Sequence, residues 1–387
     1  MLETFIALII GVIIGSITAI IPGLHSNLVA TFIVALNFTN LPLPVILISI
    51  ATTHLFVTII PALYLSLPNE STAVSLLPGQ QLVKEGKGYD GVMAHANSAL
   101  LSFIILIPCL FFVIPFIQPI YKLIYPAIPF LLMLAMISFF GKEKLPWRLI
   151  IILSASILGI LTLSYNSINE PMLPLLSGLF GIPSLISSLN AKIPEQKIIH
   201  SKITTSMKAV LPLGWLAGSI VGFLPGVGTA HAATIAQATK KFHAKTQLAL
   251  LSAIVCANFL FSLATSTSLG KARNGVIAIL MQTTQLHPDS IYLFSATALA
   301  SAGIAYLITR FLAKVFAEHA DVFAKPIIKQ CLILFISVLV FSFSGWKGIL
   351  VLVTASFIGS IPVLLNLERS MLMSAIIMPV LVFFWPF

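Results

Sequence analysis

Apolar runs too long for a soluble core recur along the whole chain, and they restrict its fold more than any motif does. They lie near 2–21, 24–38, 44–67, 92–117, 119–141, 146–164 and 172–190, and resume after a basic connector near 206–224, 227–239, 247–268, 290–309, 327–345, 349–366 and 370–387. Several are long enough to cross the ~30 Å hydrocarbon core of a bilayer as helices. In lipid every backbone polar group must be satisfied within the protein, so only helices and closed barrels span. Barrel strands alternate apolar and polar residues, whereas these runs are continuously apolar, so helices are expected. Charged residues make up 8% of the chain, where a soluble domain carries about a quarter. The sequence therefore reads as an all-α polytopic membrane protein with no room for a soluble domain.

The formal charge of +10 does not point to nucleic acid. The basic residues sit in short loops between apolar runs, as a positive-inside bias requires, with no basic stripe among exposed aromatics. Cys109, Cys256 and Cys331 lie far apart in apolar segments and read as small hydrophobes, not as metal ligands or disulfide partners. The N-terminus lacks a basic n-region and a small-residue cleavage site, so the first run is expected to be a retained helix. No metalloprotease, nucleophile-elbow or P-loop motif is present, so an enzyme is not expected and any active transport would draw on an ion or substrate gradient.

Two stretches repeat at an offset of 203. Gly15 to Ser26, with Pro22-Gly23 at its centre, aligns with Gly218 to Thr229, with Pro225-Gly226, and five of the twelve positions are identical. The same offset lays Pro68-Asn69-Glu70-Ser71-Thr72 over Lys271-Ala-Arg273-Asn274-Gly275. This predicts an internal duplication, with membrane repeats at 1–200 and 201–387, each holding a Pro-Gly hairpin, a broken helix and about four further spans. Loop charge predicts that the repeats are inverted. The loop after the first cassette, 37–44, is uncharged, while its counterpart carries Lys240, Lys241 and Lys245; after the second cassette the bias reverses. With both termini outside, the loops at 78–91, 142–148, 191–208, 240–246, 310–329 and 367–369 fall inside and hold 17 of the 21 Lys and Arg residues. The exceptions are Lys122, Lys347, Lys271 and Arg273.

Proline breaks a helix because it lacks a donor and clashes with the preceding turn. The residues after each Pro-Gly break should then start a half-helix whose free N–H groups can meet an anion. They are Gly23, His25, Ser26 and Asn27 in the first half, and Gly226, Gly228, Thr229 and His231 in the second. Broken helices at matching places in inverted halves are the sequence pointer to a carrier's binding site; a proline kink healed by neighbouring helices is the structural alternative. In the second cassette Ser268, Lys271, Arg273 and Asn274 are candidates for holding a carboxylate or phosphate. Asn69, Glu70, Ser71, Thr72 and Asn258 are candidates for coupling to Na+ or H+, with Glu70 the acid read inside a membrane segment. A Glu70–Arg273 or Glu70–Lys271 ion pair locking the halves is the structural counter-reading, since charges at membrane depth are usually paired. His95 and Asn97 read first as cap or interface residues.

At Gly15…Pro22-Gly23, at Leu67-Pro68…Ser71-Thr72 running into Leu77-Pro78-Gly79…Val83-Lys84-Glu85-Gly86, and at Gly218…Pro225-Gly226-Val227-Gly228, the sequence resembles the TctA family. That family comprises the large permease subunits of tripartite tricarboxylate transporters. The chain departs from its pattern at Ser268-Leu-Gly270-Lys271, where the second cassette has neither an acid nor a Pro-Gly pair. The resemblance implies a secondary permease for a small organic anion, a small membrane subunit and a soluble binding protein as partners, and no cofactor. A polyprenyl- or lipid-phosphate translocase using the same half-helix tips is the alternative, and a non-transporting assembly protein a third reading.

Overall fold

The computed structural model describes residues 2–21, 26–35, 41–65, 76–140, 144–164, 168–190, 193–198, 202–223, 229, 232–233, 236, 242–272, 274–284 and 286–384. Among the described residues there is no strand. Among the described residues seven helices are long and apolar enough to cross a membrane: α1 (Leu2–Ile20), α3 (Leu43–Tyr64), α5 (Gly88–Ile124), α7 (Leu145–Leu163), α10 (Ala244–Leu269), α12 (Ser290–Glu318) and α13 (Pro326–Leu364). Between them lie α2 (Ser26–Ala35), α4 (Leu76–Lys84), α6 (Ile128–Ser138), α8 (Met172–Ser187), α9 (Thr205–Phe223) and α11 (Gly275–Thr283), and α14 (Arg369–Phe384) closes the chain. Phe112 and Leu123 on α5 and Phe357 on α13 are more than 70% exposed, as expected of side chains whose solvent is lipid. The chain is a multi-pass helical membrane protein.

The bounds of α1, shifted by 203, are those of α9. Each is held against its next long helix through glycines. A Cβ on Gly11 or Gly15 would lie 2.5 or 2.6 Å from the carbonyl oxygen of Ile46 or Ile50 in α3, and one on Gly218 only 2.2 Å from that of Ile254 in α10. Small residues spaced by four let membrane helices approach to backbone contact, which is the main source of packing where lipid offers no hydrophobic drive. Contacts advance together along both pairs (11 on 46, 15 on 50; 214 on 250, 218 on 254), so α1 runs parallel to α3 and α9 to α10.

The helices α3 and α10 form the interior, each with 89% of its most apolar window buried, against 33% for α1. Each packs on the long helix of the other half. Ser252 of α10 donates to the His95 carbonyl of α5 at 2.8 Å and Cys256 to that of Ala99, in parallel order. Ser301 of α12 donates to Ser49 of α3 at 2.9 Å, and Phe316 meets Tyr64 further along, again in parallel order. By contrast α5 and α12 are antiparallel: Tyr306 donates to Asn97 at 2.9 Å while Tyr292 stacks on Phe111. His95 and Asn97 are therefore interface residues, in the third turn of α5.

Two sequence readings change. The separation of 92–117 from 119–141 fails: α5 continues through Pro108, Pro115 and Pro119 to Ile124, and the chain turns at Tyr125–Ala127 instead. Each proline removes one hydrogen bond without reversing the chain, which neighbouring helices tolerate in lipid. The reading of Glu70 as the one acid inside a membrane segment is incomplete, because Asp90 is 2% exposed in the first turn of the spanning helix α5. The division between 327–345 and 349–366 holds: the 39-residue α13 is two helical arms interrupted at Gly345, whose φ of 65° and ψ of −163° suit only glycine. Lys329 and Pro362, near its two ends, line the same cavity, so α13 doubles back as a hairpin.

Candidate functional site

Two half-helix starts, one from each half of the chain, meet in the structure. The first is α2, which opens on Ser26 and Asn27 and packs on both α11 and α3. The second is α11, for which α10 ends at Leu269, Gly270 takes the left-handed conformation (φ 61°), and helix resumes at Gly275. A Cβ on Gly275 would lie 2.2 Å from Asn27 Nδ2, so the Asn27 amide occupies the space that any side chain at 275 would need. Asn274 caps α11, its Oδ1 accepting the Val276 N–H at 3.0 Å, while its own N–H donates to Ser262 Oγ at 2.8 Å. A helix start leaves four N–H groups open and one side-chain cap satisfies only part of them. Asn27 is exposed and Asn274 half-buried, so both amides stand at an accessible junction rather than inside packed core.

On α10, Asn258 is half-buried and lies four residues before the fully buried Ser262, with Ser266 four beyond. This spacing aligns all three on one helical face, leading to the α10–α11 break. The hydroxyls near the break serve their own helix: Thr265 donates to the Ser262 carbonyl at 3.1 Å, Ser266 to that of Leu263 at 2.7 Å and Thr267 to that of Ala264 at 3.0 Å. Ser268 follows them, half-buried in the last turn. Lys271 is exposed, and its ammonium donates to Tyr121 Oη at 3.1 Å while sitting 4.7 Å from the Tyr121 ring centre and 5.7 Å from that of Tyr125. Those rings, at the end of α5, hold a cation by their negative faces. Tyr121 is 150 residues away in sequence, so no local spacing could reveal these rings.

Thr229 is helical and 9% exposed, near Ala232, Ala233 and Ala236, which join the core formed by Leu250, Ala253 and Ile254. Gly23, His25, Gly226, Gly228, His231 and Arg273, together with Asn69, Glu70, Ser71 and Thr72, lie outside the described residues. The Glu70 ion-pair reading lies there with them.

One ion pair with a buried carboxylate escaped the sequence reading. Asp90, at the start of α5, forms a salt bridge with Lys245, at the start of α10. Each lies two residues before an apolar run, where a charge reads as loop. The same end of the molecule ties further loops together. Gly88 N–H donates to Gln196 Oε1 at 2.8 Å, Lys197 N–H to the Gly86 carbonyl at 2.8 Å, and Lys144 to the Leu365 carbonyl at 2.6 Å. In the loop before α5 the Lys87 ammonium, and then the Gln81 amide, hold the Glu85 carboxyl below its usual range.

Comparison with known proteins agrees with this architecture. A protein from Methanocaldococcus jannaschii, the uncharacterized protein MJ1079, is 28% identical over 397 aligned positions, covering 97% of this chain and 98% of its own length. No solved structure matches. The family model described as the tripartite tricarboxylate transporter TctA family matches residues 5–374, nearly the whole chain. This is a family of transporter components, not of enzymes, and the chain belongs to it.

Proposed function

We propose that the chain is a secondary carrier for a small carboxylate-type anion, bound where the half-helix starts of two inverted repeats converge. The observation that carries this reading is the Asn27 amide lying against Gly275, which joins the first-half tip to the second-half tip. Asn27, Ser26 and the first turn of α11 offer donors to a negative guest, with Asn274 fixing that turn. The inverted arrangement is supported by the helix directions. With α1 and α3 parallel to α12, α9 and α10 parallel to α5, and α5 antiparallel to α12, the equivalent helices α1 and α9 run oppositely. Such repeats give carriers alternating access around a shared site.

Coupling to Na+ or H+ would fall to the Asn258 face of α10 together with Asn69–Thr72. A small membrane subunit and a soluble binding protein are the partners the family suggests. The lipid-phosphate reading remains a competitor for the same tips.

Two measurements test the proposal. In proteoliposomes, Asn27→Ala and Asn274→Ala are each expected to lower citrate or dicarboxylate uptake about tenfold, equivalent to ~1.4 kcal/mol, without loss of the folded monodisperse protein. Wild-type uptake by both variants would place the anion elsewhere. For topology, single cysteines at Lys87 and Lys347, in a chain freed of Cys109, Cys256 and Cys331, should react with impermeant maleimide from opposite sides. Labelling from one side would remove the inverted arrangement.

A further inference from the structure

Away from the half-helix tips, a cavity of about 520 Å³ opens between the ends of α3, α4, α8 and α13 and the start of α14. Three cations, Lys84, Lys329 and Arg369, line it with a single carboxylate, Glu368. Lys329 is 2% exposed. Its ammonium donates to the Ser188 carbonyl, and the Arg369 guanidinium to Ser184 Oγ. These two contacts cap the C-terminal end of α8, where a cation is favoured. They use one donor of the three on an ammonium and one of the five on a guanidinium. Among the described residues neither cation has a carboxylate partner within 4.0 Å. A buried ammonium and a half-buried guanidinium left with open donors around a space of this size call for a polyvalent acceptor.

We infer that this cavity binds a phosphate group, with Lys329 and Arg369 as counter-charges and the Lys84 ammonium as a further donor. Donors reach the cavity from three separate elements, which suits a tetrahedral oxyanion better than a planar carboxylate. The walls contributed by Leu63, Ile193, Pro362 and Val363 suit the organic part of a phosphate ester. Leu364, beside those walls, is 80% exposed, so the cavity lies next to a lipid-facing helix end. The phosphate can thus come from a lipid headgroup or from a soluble ester.

The test is thermal unfolding of the purified full chain in neutral detergent, with inorganic phosphate, with phosphatidylglycerol, with phosphatidylcholine alone and with citrate. Inorganic phosphate or phosphatidylglycerol should raise the melting temperature by about 5 °C at saturation. The double variant Lys329→Met/Arg369→Gln should lose that rise, while Asn27→Ala keeps it, which separates this cavity from the transport site. Lys329→Arg, which retains the charge, should keep most of the rise. A response to phosphatidylglycerol alone assigns a lipid headgroup, and a response to inorganic phosphate assigns the soluble form. Should the double variant fail to fold, Lys84→Ala serves in its place, with half-saturating phosphate expected about fivefold higher for one lost hydrogen bond. No rise in the wild type with either phosphate source, a rise with citrate only, or an unchanged response in the variants would overturn the assignment.

Discussion

Gly218→Ala is expected to melt several degrees below the wild type, and Gly15→Ala to fall with it. The added methyl group at 218 would lie 2.2 Å from the Ile254 carbonyl oxygen and 2.9 Å from its carbon, and the one at 15 would lie 2.6 Å from the Ile50 oxygen. These obstacles are backbone, not the ends of flexible side chains, so whole helices must separate to admit the methyl. Overpacking of this kind costs about 1–3 kcal/mol and sometimes more. Here it would also loosen every small-residue contact along the same helix pair. Gly303→Ala supplies the control, because it is mid-helix in α12 with no atom within 4 Å of the added carbon, and alanine is the better helix former. Its melting temperature should equal or exceed that of the wild type. If Gly218→Ala melts like Gly303→Ala, the close approach of α9 to α10 is not what holds that pair.

The spacing of those glycines also shows how far the sequence could be read. Gly15 and Gly218 stood inside the repeated cassette, but Gly11 and Gly214, one helical turn earlier, share the 203 offset and mark the contact face as clearly. The end of α10 was legible because Gly270 supplies a left-handed cap and Asn274 an N-cap, both local signals. The division between 92–117 and 119–141 does not survive packing, which carries α5 through Pro115 and Pro119 to Ile124 although each proline removes a hydrogen bond. The surroundings of Lys271 were illegible for a different reason. A cation at membrane depth demands a partner, and sequence suggested a carboxylate or a substrate, whereas two tyrosine rings from the far end of α5 serve. The meeting of Asn27 with Gly275 was implied by the duplication as a class of contact, but which atoms touch depends on how the half-helices cross, and no periodicity encodes that.

The pair formed by Asp90 and Lys245 should respond unequally to the loss of each partner. Asp90 is 2% exposed while the Lys245 side chain is 34% exposed, so the carboxylate depends on the ammonium far more than the reverse. Lys245 meets Asp90 Oδ2, and Asp90 Oδ1 has no hydrogen-bond partner among the described residues. Lys245→Met leaves a buried carboxylate uncompensated, a loss of about 3 kcal/mol where such pairs are broken; the positive end of the α5 dipole offsets part of it. Asp90→Asn leaves only a hydrated ammonium and should cost about 1 kcal/mol or less, as for exposed pairs. Combining the two changes removes both charges, so Asp90→Asn introduced into Lys245→Met should restore stability instead of adding to the damage. A double-mutant cycle of thermal unfolding measures this coupling directly. Additive losses would mean that the two side chains do not depend on one another. Restoration would establish that α5 of the first half and α10 of the second are pinned electrostatically at this end. The equivalent positions, Leu293 and Pro42, carry no charge, so the opposite end lacks this tie. A carrier pinned at one end and free at the other has an unequal cost of opening to its two sides, and Asp90→Asn should therefore shift the balance between influx and efflux in proteoliposomes even where its melting temperature hardly moves.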